Sequence, residues 1–283
     1  TPAMRNARPP ARWAFARHDL TLKLVNESAA VIAGQLGIPV LPIDSPGPIT
    51  LDAELSGIPI GTMSGVVAAQ APTSDFSATG AIGFPQAAAG DVPDTSRPRL
   101  SLDITLGSQD ADPWLMLAGY PLPGMGEGAP LSLSFRLSGS ESRYSIASLA
   151  GQYGGVAISG EGSYDGARTG RPKLEGSFDI EQISLPYIGE LVAGIGTFGI
   201  ASDQADEAYL EFGQPLLGGL DAELALSAEW LDLGLAEPAR SFAGRLQILD
   251  GAVTLPDFEF DWLGGKAKGN FSLANRHGNG VLH

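Results

Sequence analysis

Asp257, Glu259 and Asp261 alternate with Phe258, Phe260 and Trp262, so an extended strand would set three carboxylates on one face and three aromatic rings on the other. Two such acids could share general-acid and nucleophile or base duties in glycoside hydrolysis. The same alternation marks any half-buried strand, and a solvated acidic face is the simpler reading. Gly194-Ile195-Gly196-Thr197-Phe198-Gly199 has the spacing of a dinucleotide-binding loop, but that fingerprint needs a strand before it and a helix after it. Here an apolar, helix-like run precedes it and the polar run Ser202 to Glu207 follows, which suits a glycine loop ending a helix. His18, His277 and His283 stand too far apart for a shared metal site. There is no Gly-x-Ser-x-Gly elbow and no cysteine, which removes disulfides and thiolate metal centres. The expectation is a protein that is not an enzyme and has no cofactor and no metal.

The elements that would position these residues are mostly strands. Leu20, Leu22 and Leu24 alternate with Thr21 and Lys23 in an opening strand, Trp13 to Leu24. Ser28 is a plausible N-cap for a short helix over Ala29 to Leu36, with Gly37 as its stop. Strands follow at Ile49 to Leu55, Met63 to Ala69 and Phe76 to Phe84. Leu100 to Leu106 forms the next, before a helix Trp114 to Tyr120 introduced by Pro113. Strands at Leu131 to Leu137, Tyr144 to Ala150 and Val156 to Tyr164 come after it, with turns at Ser138-Gly139-Ser140 and Gly154-Gly155. The last third reads as a strand Leu174 to Ile180, a helix Pro186 to Ala193, and strands Leu220 to Trp230, Phe242 to Leu249, Val253 to Leu255, Phe258 to Trp262 and Lys266 to Leu273. Asp250-Gly251 and Gly264-Gly265 mark turns between them.

Composition narrows the function. A net charge of −15 opposes nucleic acid, whose affinity rests on Lys and Arg neutralising phosphate, and equally opposes electrostatic docking on anionic headgroups. With 43% hydrophobic and 17% charged residues, the chain can build an extensive core. Its best apolar stretch, Ser28 to Ile43, is broken by Gln35, Pro39 and Pro42 and is too short to span a bilayer. No signal peptide is visible at the N-terminus. The abrupt first and last strand patterns suggest a segment of a longer protein.

The pattern also repeats. Arg97-Pro98-Arg99-Leu100 returns as Arg171-Pro172-Lys173-Leu174, and Leu51-Asp52-Ala53-Glu54-Leu55 returns unchanged at Leu220 to Leu224. Leu131-Ser132-Leu133-Ser134-Phe135 fills the equivalent slot between them. Each copy orders a strand, a short apolar helix, a Gly/Pro loop and further strands. This implies a linker over residues 1–11 and one elongated body over 12–283, in units of about 12–96, 97–170 and 171–283. Units that cannot bury an apolar face alone stack to share one.

With these repeats and the closing stretch Leu246 to Phe258, running on through Trp262-Leu263-Gly264-Gly265 to Gly269, the chain resembles the AsmA-like family, the bacterial bridge-like lipid transfer proteins grouped with AsmA, TamB and YhdP. The resemblance covers nearly the whole chain from about Arg12. It implies a mainly β fold: an elongated, repetitive, curled antiparallel sheet forming a groove, with short capping helices. It implies a periplasmic segment, tethered to the inner membrane through a part not in this chain, that moves phospholipid toward the outer membrane and meets membrane partner proteins. A scaffold or interaction role in outer-membrane protein assembly, as in TamB-type members, is the alternative.

Strand parity supports a groove independently of the resemblance. The lining would be Leu20, Leu22, Leu24, Leu51, Leu55, Leu102, Ile104, Leu131, Leu133, Phe135, Leu220, Leu224, Leu226, Phe258 and Phe260. Opposite parities carry Asp52/Glu54, Ser101/Asp103, Ser132/Ser134/Arg136 and Asp221/Glu223, suited to water. The partner would be phospholipid acyl chains, with no nucleic acid. Exposing the roughly thirty CH₂ groups of a two-chain lipid costs on the order of 20 kcal/mol, which an apolar lining would remove. The same parities would equally fill the closed core of a β-sandwich or solenoid.

Overall fold

The computed structural model describes residues 12–38, 40–41, 46–84, 98–119, 122–166, 170–193, 219–250, 252–276 and 279–282. After a 3₁₀ turn at Arg12–Phe15 the chain forms β1 (His18–Asn26), α1 (Ala29–Gln35), β2 (Ile49–Gly57), β3 (Thr62–Ala71) and β4 (Ser74–Gly83). Next come β5 (Arg99–Ser108), α2 (Asp112–Leu117), β6 (Leu131–Ser140), β7 (Arg143–Tyr153) and β8 (Val156–Asp165). The last part is β9 (Lys173–Ser184), α3 (Leu185–Ala193), β10 (Asp221–Asp232), β11 (Ala239–Leu249), β12 (Ala252–Trp262), β13 (Gly265–Arg276) and β14 (Asn279–Leu282). Strand, helix, strand, strand, strand therefore occurs three times in this order.

All fourteen strands pair in chain order in one sheet. It is not closed: β1 and β14 end the order with one partner strand each. The expected antiparallel sheet is instead mixed, because β9 and β10 run parallel. In the first two units the chain leaves a strand, forms a helix and re-enters the sheet at the same rim, which makes the neighbours antiparallel. In the third, β10 starts at the rim where β9 starts, so the second Leu-Asp-Ala-Glu-Leu runs in the direction opposite to the first.

Local chemistry explains most boundaries and several departures from expectation. Ser28 has N-cap dihedrals but makes no side-chain capping bond; Asn26 Oδ1 instead accepts from the Ser28 N–H at 2.9 Å. Gly37 ends α1 with φ 75°. The turn expected at Ser138-Gly139-Ser140 is strand, and the reversal falls at Glu141, φ 57°. The β12–β13 turn sits one residue early, at Leu263 and Gly264, both with positive φ. The two strands expected over Val253 to Leu255 and Phe258 to Trp262 are one, β12, with a bulge where Asp257 adopts φ 55°. A bulge adds one residue to one strand without ending the ladder. The Gly-x-Gly-x-x-Gly run, His277 and His283 lie outside the described residues.

The helices share one rim of the sheet, where β1, β5 and β9 end. They cover strand ends and the apolar face beside them, α1 against the outer strand β1. Ala29 and Ile32 of α1 pack with Ile49, Leu51, Leu24 and with Leu117 and Trp114 of α2. Leu185 and Ile188 of α3 join a larger core drawn from β9 to β13.

Candidate functional site: a continuous apolar face

Register converts separate alternations into one surface. Residues opposite each other in paired strands point to the same face, so each chain of partners traces a row across the sheet. One row reads Leu24, Leu51, Ala69, Phe76, Leu106, Leu133, Gly151, Ile158, Ile180, Ala228 and Phe242, from β1 to β11 without a polar side chain. A second row on the same face reads Leu20, Leu55, Gly65, Gly80, Leu102, Leu137, Ile146, Gly162, Gly176, Leu224 and Leu246, equally free of polar groups. The opposite-face row beside the first reads Lys23, Asp52, Ala68, Ser77, Thr105, Ser134, Ala150, Ser159, Asp179, Ser227, Ala243, Glu259 and Lys268. One face is oil and the other is water-compatible.

The residues expected to line a groove fall on this apolar face. Leu20 pairs with Leu55, Leu22 with Ala53 and Leu24 with Leu51. Leu102 lies opposite Leu137, Ile104 opposite Phe135, and Leu131 opposite Tyr153. Leu224 and Leu226 sit beside Gly176 and Phe178; Phe258 faces Gly269 and Phe260 faces Ala267. Leu220 lies one residue before β10 begins. The sequence reading missed the contributions of β3, β4, β7, β8 and β9, including Val67, Phe76, Ile146, Ile158, Phe178 and Ile180. Many of their inward positions are glycine, which breaks the hydrophobic alternation without breaking the face.

Those glycines do two different things. The ring of Phe178 lies over Gly160, Gly162 and Gly176, so a Cβ at any of them would come within 2.7 to 3.3 Å of it. The ring of Phe258 lies over Gly269 in the same way, at 3.1 Å. An aromatic ring laid over glycine restores the missing packing and pins register. By contrast Gly65 and Gly80 face each other with no ring among the nearest atoms a Cβ would meet at either, which leaves a thin floor between Leu55 and Leu102.

Cover over the apolar face changes along the sheet. Leu20 and Leu22 on β1 are 51% and 44% exposed, and from β2 to β8 most inward side chains are half-buried. From β9 to β13 the face is closed: Leu231, Ala239, Phe242, Val253, Leu255 and Leu273 are 0 to 4% exposed, and α3 contacts both β10 and β13. Leu226, at 8%, belongs to that closed core and not to an accessible lining.

The acidic strand is accounted for by lysines. Lys268 Nζ lies 2.7 Å from Glu259 and Lys266 Nζ 3.0 Å from Asp261, cross-strand pairs on the water face. The hydrogen bond from Lys268 holds the Glu259 carboxyl below its ordinary range, and the bond to Asp261 raises Lys266. Asp257 occupies the bulge outside the regular pairing. A solvated, lysine-paired carboxylate of lowered pKa such as Glu259 is the opposite of the raised general acid that glycoside hydrolysis needs. Similar pairs join Lys23 to Asp52 at 3.1 Å and Arg136 to Asp103 at 2.9 Å, while Lys173 bridges Glu175 and Glu223.

Depressions also occur on the water face, one of about 650 Å³ beside Ser159, Asp179, Ser227 and Glu229. Among the described residues no group of His, Asp and Glu is arranged to hold a metal ion, and no helix is long and apolar enough to cross a membrane. No family model, curated protein or solved structure matches the chain.

Proposed function

We propose that this chain is a segment of an AsmA-like periplasmic protein whose apolar face carries phospholipid acyl chains between the inner and outer membranes. The observation behind this reading is the pair of eleven-strand rows without a polar side chain, half-open from β1 to β8. A monomeric soluble protein rarely leaves so long an apolar surface uncovered unless something binds there. Lipid headgroups would remain in water at the rims while the chains lie on the rows. The segment would work as one stretch of a longer path, tethered to the inner membrane, in outer-membrane biogenesis.

Lipid extraction and native mass spectrometry of the purified chain test this reading. The expected result is co-purifying phospholipid that Leu133→Asp abolishes, while Ser134→Asp, on the same strand but the opposite face, leaves it in place. Absence of lipid from the unmodified chain, or equal loss in both variants, overturns it. A scaffold role in outer-membrane protein assembly is favoured by one feature, the filled core from β9 to β13, and predicts capture of a barrel-assembly protein by lipid-free chain.

A further inference from the structure

The apolar stretch that is too short to span a bilayer has a second use. Residues 29–41 contain no ionisable side chain in a protein of net charge −15. Their inner side is anchored: Ala29 and Ile32 are 3% exposed and pack on Leu24, Ile49 and Leu51. The following loop is tied to α2, where the Leu41 N–H donates to the Leu117 carbonyl at 2.8 Å. On the same short segment and on α2, Val31, Leu36, Ile38, Leu41 and Met116 are each 44 to 52% exposed. The nearby acid of α2, Asp112, is turned inward at 6% exposure, where its carboxylate accepts from the Gly126 N–H at 2.8 Å.

We infer that this patch on α1, its loop and α2 docks the protein onto the surface of an electrically neutral lipid bilayer. Charge selects the occupant. With no cation in the patch, anionic headgroups gain nothing there, and the acidic remainder of the chain is repelled by them. Long uncharged apolar side chains partition into the headgroup–acyl boundary of a zwitterionic surface by burial alone. Geometry points the same way. Leu24 and Leu51 beneath α1 begin the eleven-strand row, so a chain leaving the bilayer here reaches the apolar face without crossing a charged side chain. This inference deepens the lipid-carrying reading and rests on it for its purpose, though not for its measurement.

The test is co-sedimentation of the purified chain with phosphatidylcholine vesicles. Binding is expected, with weaker binding when phosphatidylglycerol is mixed in, and a loss of about tenfold or more for Leu36→Asp combined with Ile38→Asp. Circular dichroism and the unfolding midpoint of that variant show whether the sheet is intact. Because the chain has no cysteine, an Ile38→Cys variant takes one environment-sensitive dye, whose emission is expected to shift blue on phosphatidylcholine vesicles. No binding to neutral vesicles, binding that requires anionic lipid, or a blue shift that follows protein concentration without vesicles each overturns the inference. Vesicle binding without co-purified lipid would keep this surface and remove the groove, and the converse result would do the reverse.

Discussion

Tyr187 on α3 shares a hydrogen bond with Tyr153 at the end of β7, tying the third helix to the second unit of the sheet. Burial is the largest cause of the change in Tyr187, followed by its tyrosine partner, with Asp112 of α2 contributing, and together they push its pKa up to about 12. Burial also raises Tyr153, and Asp112 adds to it.

The pair predicts an alkaline limit. A tyrosine in the unfolded chain titrates near 10, so above that pH the unfolded state releases its proton first. Stability from this contact is full below about pH 10 and is lost as pH rises through about 12. Chemical denaturation between pH 8 and 12 should show a declining midpoint, with a shallower decline in Tyr187→Phe. An identical decline in the variant would assign the loss to other groups.

The uneven cover of the apolar face predicts uneven sensitivity. Leu231 is 1% exposed in the closed core and Leu22 44% exposed at the outer strand. Leu231→Ala should cost about 2–5 kcal/mol and Leu22→Ala less than about 1 kcal/mol, because only the first leaves a cavity. Urea midpoints with unchanged slopes would register the difference. Equal costs would mean that β1 is as well covered as β10.

Two glycines of one hairpin region should respond oppositely. Gly151 in β7 has φ 152°, and a Cβ there would lie 1.8 Å from the Ser132 carbonyl oxygen of the paired strand. Gly151→Ala should therefore break local pairing and cost about 2–4 kcal/mol. Gly154, at φ 59°, faces open space, and asparagine tolerates that backbone. Gly154→Asn should stay within about 0.5 kcal/mol, read from the same urea curves.

By itself the sequence determined most of the strands, the three helices and the separation of oily from watery parity, because a period of two in Leu20 to Leu24 or Leu100 to Leu106 reports half-burial whatever the neighbours are. It also excluded thiolate chemistry, through composition alone. It did not determine pairing: Phe76 joins Leu106 and Leu133 in one row only through register, which depends on backbone hydrogen bonds that no side-chain pattern encodes. Glycines hid the inward positions of β8, since Gly160 and Gly162 read as gaps until Phe178 is seen to lie over them. The parallel β9–β10 step was equally illegible, because the same Leu-Asp-Ala-Glu-Leu fits a strand in either direction. Only the tertiary structure decided that the rows join into one face, and that this face is half-open near β1 yet filled from β9 to β13, because cover is set by which distant side chains and which helix come to rest upon it.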